Sequence, residues 1–274
     1  MWAKMIIRRG LSALLFLALV AGLIWLFLRA RGNLPSPRDA TWERIRREGV
    51  LRVGMDATYL PFEVVDGQGR FSGYDVDLAQ ALADRWGARA EFVAVHFDGL
   101  YDALQTNKFD LIISALPYDR TQTRDLRFSQ SYFNAGLVLL ARADNERLRS
   151  VNDLSGQRAG AELGSEAHQW LRTLGRDRGI AVEVVAWREP GEALGLLREG
   201  AVSAMVCDRV TAYGYLKQGQ AEGLPLRLVG PPLTDAPYVI ATRPGASELL
   251  RQVNAALEEW RAGGFLEELE SRWF

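Results

Sequence analysis

Cysteine is almost missing from this chain. Cys207 stands alone among 274 residues, which excludes an internal disulfide framework and any cysteine-built metal centre. Histidine is nearly as scarce. His96 and His168 lie far apart, neither has a second histidine at ligand spacing, and they read as a loop residue and a helix-surface residue, so no metal site is expected. Neither sign of charge dominates: 33 basic and 34 acidic residues leave a net charge of −1. That gives no electrostatic case for nucleic acid. A glycine-rich phosphate loop is also lacking, since Gly67-Gln68-Gly69 reads as the turn of a hairpin between Val64-Val65 and Arg70-Phe71. No hydrolase nucleophile motif is present, and nothing calls for a cofactor. Hydrophobic residues at 48% and charged residues at 24% exclude a disordered chain and a polytopic membrane protein.

Long apolar runs are scarce too, with one exception. Gly10 to Leu28 is an uncharged stretch of 19 residues, about 28 Å long as a helix, close to the hydrocarbon thickness of a bilayer. Lys4, Arg8 and Arg9 precede it in the manner of an export leader. The run ends in Leu-Arg-Ala-Arg, a poor cleavage site, and no cysteine follows for lipoprotein processing. An uncleaved single-pass anchor with the body outside is therefore expected, the alternative being a cleaved signal and a periplasmic or secreted body. Pro35 and Pro37 make a short, stiff tether. The first 40 residues hold six basic side chains and one acid, so the remainder carries 27 basic and 33 acidic ones.

The body alternates strands and helices. Strands are predicted at Val50–Met55, Ala90–Val95, Phe109–Ser114, Gly136–Ala141, Arg158–Leu163, Val182–Trp187, Ala204–Cys207, Leu226–Val229 and Val239–Thr242. Helices are predicted at Thr41–Glu48, Asp75–Trp86, Leu100–Thr106, Glu166–Leu174, Gly191–Arg198, Ser247–Trp260 and Phe265–Phe274. Gly87 and Asn107 are the expected left-handed stops. Asp75 and Asp77 read as helix-start residues rather than a carboxylate pair. Such alternation implies an α/β protein of mainly parallel sheets flanked by helices, here in two lobes.

In open α/β sheets, ligands sit beyond the carboxyl ends of the strands. The residues that follow the predicted strands are Asp56, Tyr59, His96, Phe97, Ser114, Tyr118, Ser165, Glu166, Arg188, Glu189 and Asp208. Carboxylates, hydroxyls and rings thus gather at one end of both sheets. A cleft so lined suits a small polar or cationic molecule, its flat part on the rings and its positive part on the acids.

The segments LRVGMDATYLPFE, FSGYDVDLAQALA, FDGLYDALQTNKFDLIISAL, FSQSYF, DLSGQRAGAELGS and ALEEWRAGGFLEELESRWF resemble the extracytoplasmic solute-binding proteins of family 3, which serve polar amino acid ABC transporters. The resemblance spans residues 41–274. It implies a two-lobed periplasmic-binding-protein fold of type II. Lobe one would comprise residues 41–135 and 233–274 and lobe two residues 136–232, after a membrane segment at 1–30 and a linker at 31–40. The crossings would fall near Phe133–Gly136 and Pro231–Tyr238. It further implies that Asp56 and Tyr59 face the ligand side chain, that Phe97 stacks on it, that Ser114 binds it, and that Asp208 holds an ammonium group. A permease in the membrane is the implied partner. Nothing signals oligomerisation, and a monomer is expected.

Two departures from the family pattern matter. Where relatives place an arginine for the ligand α-carboxylate, an ungapped count back from Phe128-Ser129 arrives at Gln122. Arg124 (or Arg120) could substitute only through a shifted loop, with Tyr118 in the same stretch. Glu166 also replaces a family hydroxyl residue after Gly164-Ser165. Together they imply a cationic ligand that need not carry a free carboxylate. Two other functions stay open: a dehydratase of the cyclohexadienyl type with Glu166 or Glu189 as general acid, and a sensing domain acting through a partner. Each site residue also has a plain structural reading. Asp56 can cap a loop, Ser165 and Asp208 can cap helices, Tyr59 and Phe97 can be packing, and Pro117-Tyr118-Asp119 can be an ordinary turn.

Overall fold

The structure, a computed structural model, describes residues 39–274. The expected anchor and most of the linker lie outside the described residues. Among those described, no helix is long and apolar enough to cross a membrane.

Helix α1 (Ala40–Glu48) leads into β1 (Val50–Met55). A small antiparallel sheet follows, made of β2 (Thr58–Tyr59), β3 (Glu63–Val65) and β4 (Phe71–Ser72). Then come α2 (Tyr74–Arg85), β5 (Arg89–Ala94), α3 (Leu100–Gln105), β6 (Leu111–Ile112) and β7 (Arg127–Asn134). The chain returns much later through β13 (Pro237–Thr242), α7 (Ser247–Gly263) and α8 (Phe265–Trp273). The first large sheet has the order β5-β1-β6-β13-β7, with β5, β1 and β6 parallel and β13 antiparallel to both of its neighbours. Its pleat sorts side chains onto two cores. Leu111 and Ile113 enter the core under α2, α7 and α8, while Ile112 between them joins Phe109, Leu100 and Leu104 on the other face.

Between those halves lie β8 (Leu137–Arg142), β9 (Arg158–Glu162), α4 (Glu166–Arg178), β10 (Glu183–Trp187), α5 (Pro190–Arg198), β11 (Ala204–Asp208), α6 (Arg209–Ala221) and β12 (Leu226–Val229). They build a second sheet, β10-β9-β11-β8-β12. The same sorting recurs: Leu137, Leu139 and Ala141 face one core, Val138 and Leu140 the other. The result is the expected two-lobed α/β architecture.

Differences from the sequence reading have local causes. The third strand shortens to Leu111–Ile112 because the Asp110 carboxylate accepts the Arg52 amide, 2.8 Å, where a ladder carbonyl would otherwise sit. Strand β7 carries no simple apolar alternation, since Ser129 occupies a buried position. Its hydroxyl accepts the Ile240 amide at 2.9 Å where β13 slips register. Helix α6 hides behind Gly214 and Gly219. A methyl group at Gly219 would stand 2.6 Å from the Leu224 carbonyl oxygen, so close packing of helix on turn demands glycine there.

The two passages between the sheets, β7 to β8 and β12 to β13, are bonded to each other. Leu137 N–H donates to Thr234 Oγ1 and Leu233 N–H to the Leu137 carbonyl, at 2.8 and 2.7 Å. Asn134 Oδ1 accepts from both Gly136 and Ala236 amides, and its amide group donates to Asp235.

Candidate functional site

Most of the expected site residues follow strands, while Tyr118 and Arg124 lie in the loop between β6 and β7. Asp56 follows β1 and is half-buried. Its Oδ2 accepts the Phe97 amide at 2.9 Å and its Oδ1 the Thr58 hydroxyl at 2.7 Å. Its own amide donates to Ser114 Oγ at 2.9 Å. Asp56, Phe97 and Ser114, from three parallel strands, are therefore one bonded group. Ser114 itself is buried, and its hydroxyl proton goes to Glu63 Oε1 at 2.7 Å.

The rings stand in the open. Tyr59, Phe97 and Tyr118 are 44%, 42% and 43% exposed, and with Leu60 and Leu163 they are the exposed large apolar side chains among the described residues. Burial is the default for side chains of this size, so these exposed rings stand out from the core. Tyr59 stacks on buried Phe62, centroids 5.6 Å apart. Tyr118 meets Phe128 edge-on at 5.3 Å. Arg124 lies exposed in the turn between the short 3₁₀ segment Arg120–Gln122 and β7, and Gln122 closes that segment.

In the second lobe, Ser165, Glu166 and Asp208 line one cavity of about 150 Å³ together with Glu162, Trp187, Thr211 and Tyr215. Ser165 caps α4 through the His168 amide, and Asp208 caps α6 through the Thr211 amide and hydroxyl. Three acids and no basic residue line this cavity. Among the described residues, Asp56, Glu162, Glu166 and Asp208 form no ion pair. Burial and the charge of Asp208 help push the Tyr215 hydroxyl up to about 12.

Tyr238 on β13 packs against Phe62 and Phe133, with ring centroids 5.4 and 5.8 Å apart. Burial, a hydrogen bond with Tyr59 and the charge of Asp208 hold its hydroxyl well above the ordinary phenol value. Tyr238, Glu162 and Trp187 were not candidates from sequence. Glu162 and Trp187 are the last residues of β9 and β10, so reading the final residue of each strand, as well as the one after it, finds them.

A family model described as bacterial extracellular solute-binding proteins, family 3, matches residues 51–274. The chain belongs to that family. It is a solute-binding protein, and its two lobes belong to that architecture. The L-arginine-binding protein of Pseudomonas aeruginosa is 33% identical over 230 residues, 82% of this chain and 87% of that one. The solved structure of an ancestral cationic amino acid solute-binding protein is 33% identical, with a TM-score of 0.59, covering 86% of this chain and all of that one. An ancestral cyclohexadienyl dehydratase is 25% identical with a TM-score of 0.74, covering 89% and 98%.

Proposed function

We propose that this solute-binding protein captures a small organic cation between its lobes and delivers it to an ABC permease. Its residues 1–30 would tether it to the membrane with the body outside the cytoplasm. The observation that carries this reading is the pairing of exposed rings beside Asp56 with a second-lobe cavity walled by Glu162, Glu166 and Asp208 and lacking a base. The ligand contacts would be Asp56, Tyr59, Phe97, Tyr118, Ser165, Glu166 and Asp208, with Ser114 holding Asp56. Arg124 would stand at the rim. Rings take the flat or apolar part, and the acids take positive groups through charge-assisted hydrogen bonds worth about 1.5–3 kcal/mol each. Two or three of these plus one stacked ring reach the roughly −8 kcal/mol of a micromolar complex. The arginine-binding and cationic-amino-acid-binding relatives support a cationic guest. Gln122 at the place of the family arginine supports one that needs no carboxylate.

Agmatine is L-arginine without the carboxylate, so the two separate these features. Calorimetry on the body is expected to show agmatine binding at least as tightly as L-arginine, with L-glutamate inert. Tight, selective binding of L-glutamate would overturn the reading, as would L-arginine binding far above agmatine. The dehydratase relative raises a second reading. However, Glu166 and Glu189 are both exposed, whereas a general acid is usually tuned by burial. Incubation with prephenate is expected to yield no product.

A further inference from the structure

Behind the rim lies a pair of acids that no ligand contact uses. Glu63 of β3 and Asp75 of α2 are 1% and 0% exposed. Glu63 Oε1 accepts the Ser114 hydroxyl. Asp75 Oδ2 accepts the Ala115 amide at 2.5 Å and the Tyr132 hydroxyl at 2.9 Å. The other oxygens, Glu63 Oε2 and Asp75 Oδ1, are buried with no hydrogen-bond partner. The two side chains bond adjacent residues, Ser114 and Ala115, and the charge of Asp75 helps to raise the Glu63 carboxyl. Two carboxylates cannot both be charged at such range in an apolar interior. A single proton between Oε2 and Oδ1 satisfies both orphan atoms.

We propose that Glu63, as a carboxylic acid bonded to the Asp75 carboxylate, is the positioning residue of the ligand rim, holding Ser114 and through it Asp56. The chain of bonds runs without a break. From Glu63 outward, Glu63 receives the Ser114 proton, Ser114 receives the Asp56 amide, and Asp56 receives the Phe97 amide; the proposed Glu63 proton on Asp75 would extend the chain inward. Asp75 also fixes Ala115, whose φ of 40° is a left-handed conformation that alanine rarely adopts. Glu63 holds the proton and Asp75 the charge. Two donors serve the Asp75 oxygen, whereas Glu63 has one donor and the negative charge of Asp56 nearby. Burial, the largest influence, raises both carboxyls. The other groups facing the pair are Tyr74 of α2, Tyr132 of β7 and Tyr238 of β13, all neutral phenols held above their ordinary value by burial. Arg209 acts on Tyr74 but is paired with Glu270.

This inference rests on Asp56 being a ligand contact, and its test reads the ligand-free protein first. Amide hydrogen exchange at Asp56, Phe97 and Ala115 is compared in wild type, Glu63→Gln and Glu63→Ala between pH 6 and 9. Glutamine mimics the protonated acid. Protection at the three amides should persist in E63Q and drop at least tenfold in E63A. In wild type it should weaken toward alkaline pH, while in E63Q it stays flat. Agmatine affinity should follow the same order. Should E63A fail to fold, the carbon-13 carboxyl shift of Glu63 in wild type decides. A signal of a neutral acid at pH 7 supports the assignment; a charged carboxylate there overturns it. It is overturned equally if E63Q loses the three amides as fully as E63A. A wild-type protein that ignores agmatine while its amides respond as stated counts against the ligand class and for the positioning unit.

Discussion

Asp208 serves two ends, and a substitution can separate them. Its carboxylate caps α6 and faces the second-lobe cavity. Asparagine caps a helix about as well as aspartate, so Asp208→Asn isolates the charge. It should weaken agmatine about 10- to 100-fold, one charge-assisted bond, with the thermal midpoint unchanged. Asp208→Ala should lose about 1 kcal/mol of stability as well. Glu63 gives a pH signature. Burial, then the charge of Asp75, lifts its carboxyl above the ordinary 4.5 in the folded state. Between 4.5 and that lifted value the folded chain keeps a proton that the unfolded chain has released, so this contribution to stability falls as pH rises. Glu63→Gln holds no such proton. Across that window the stability difference should move toward E63Q by at most about 1.4 kcal/mol per pH unit, read from urea unfolding at pH 6, 7.5 and 9. A difference that stays constant contradicts the assignment. The candidate residues most legible in the sequence were those directly after strands. Glu63 was not, because its role comes from Asp75 and Ser114, which the fold brings to it from 12 and 51 positions away.

At the scale of elements, most strands and helices announced themselves through apolar spacing, and the exceptions share a cause. Ser129 in β7 accepts the Ile240 amide, and Gly219 in α6 accepts the Leu224 amide and leaves room for the Leu224 carbonyl, needs from other segments that local periodicity cannot register. Asp110 is another such residue. Fully buried, it bonds Arg44 of α1 and both the amide and side chain of Arg52 in β1. Asp110→Ala leaves Arg52 without its counter-charge and Arg44 with Glu48 alone, and should cost about 2–4 kcal/mol, below the figure for a wholly buried pair because Arg52 remains a third exposed. Chemical denaturation checks it. Gly136, between β7 and β8, is set by a close approach: an added methyl would stand 2.1 Å from the Thr234 carbonyl oxygen. Gly136→Ala should push the two crossings apart and lower stability by about 1–3 kcal/mol.

At the scale of the whole molecule, the parts form a coupled pair of lobes. Asp208 is followed by Arg209, whose amide donates to the Gly136 carbonyl in the first crossing. The Arg209 guanidinium lies over Phe133 and pairs with Glu270 of α8 at 2.7 Å. A cation held by Asp208, as proposed, would stand beside a residue already tied to the first lobe. Two lobes joined by two crossings close as rigid bodies when a guest contacts both. Small-angle X-ray scattering of the body, with and without saturating agmatine, measures that closure most directly. The radius of gyration should fall on addition of agmatine to wild type and remain at the ligand-free value in D208N at the same concentration. If agmatine binds by calorimetry and the radius of gyration does not change, the guest sits on one lobe alone, and capture between the two is contradicted.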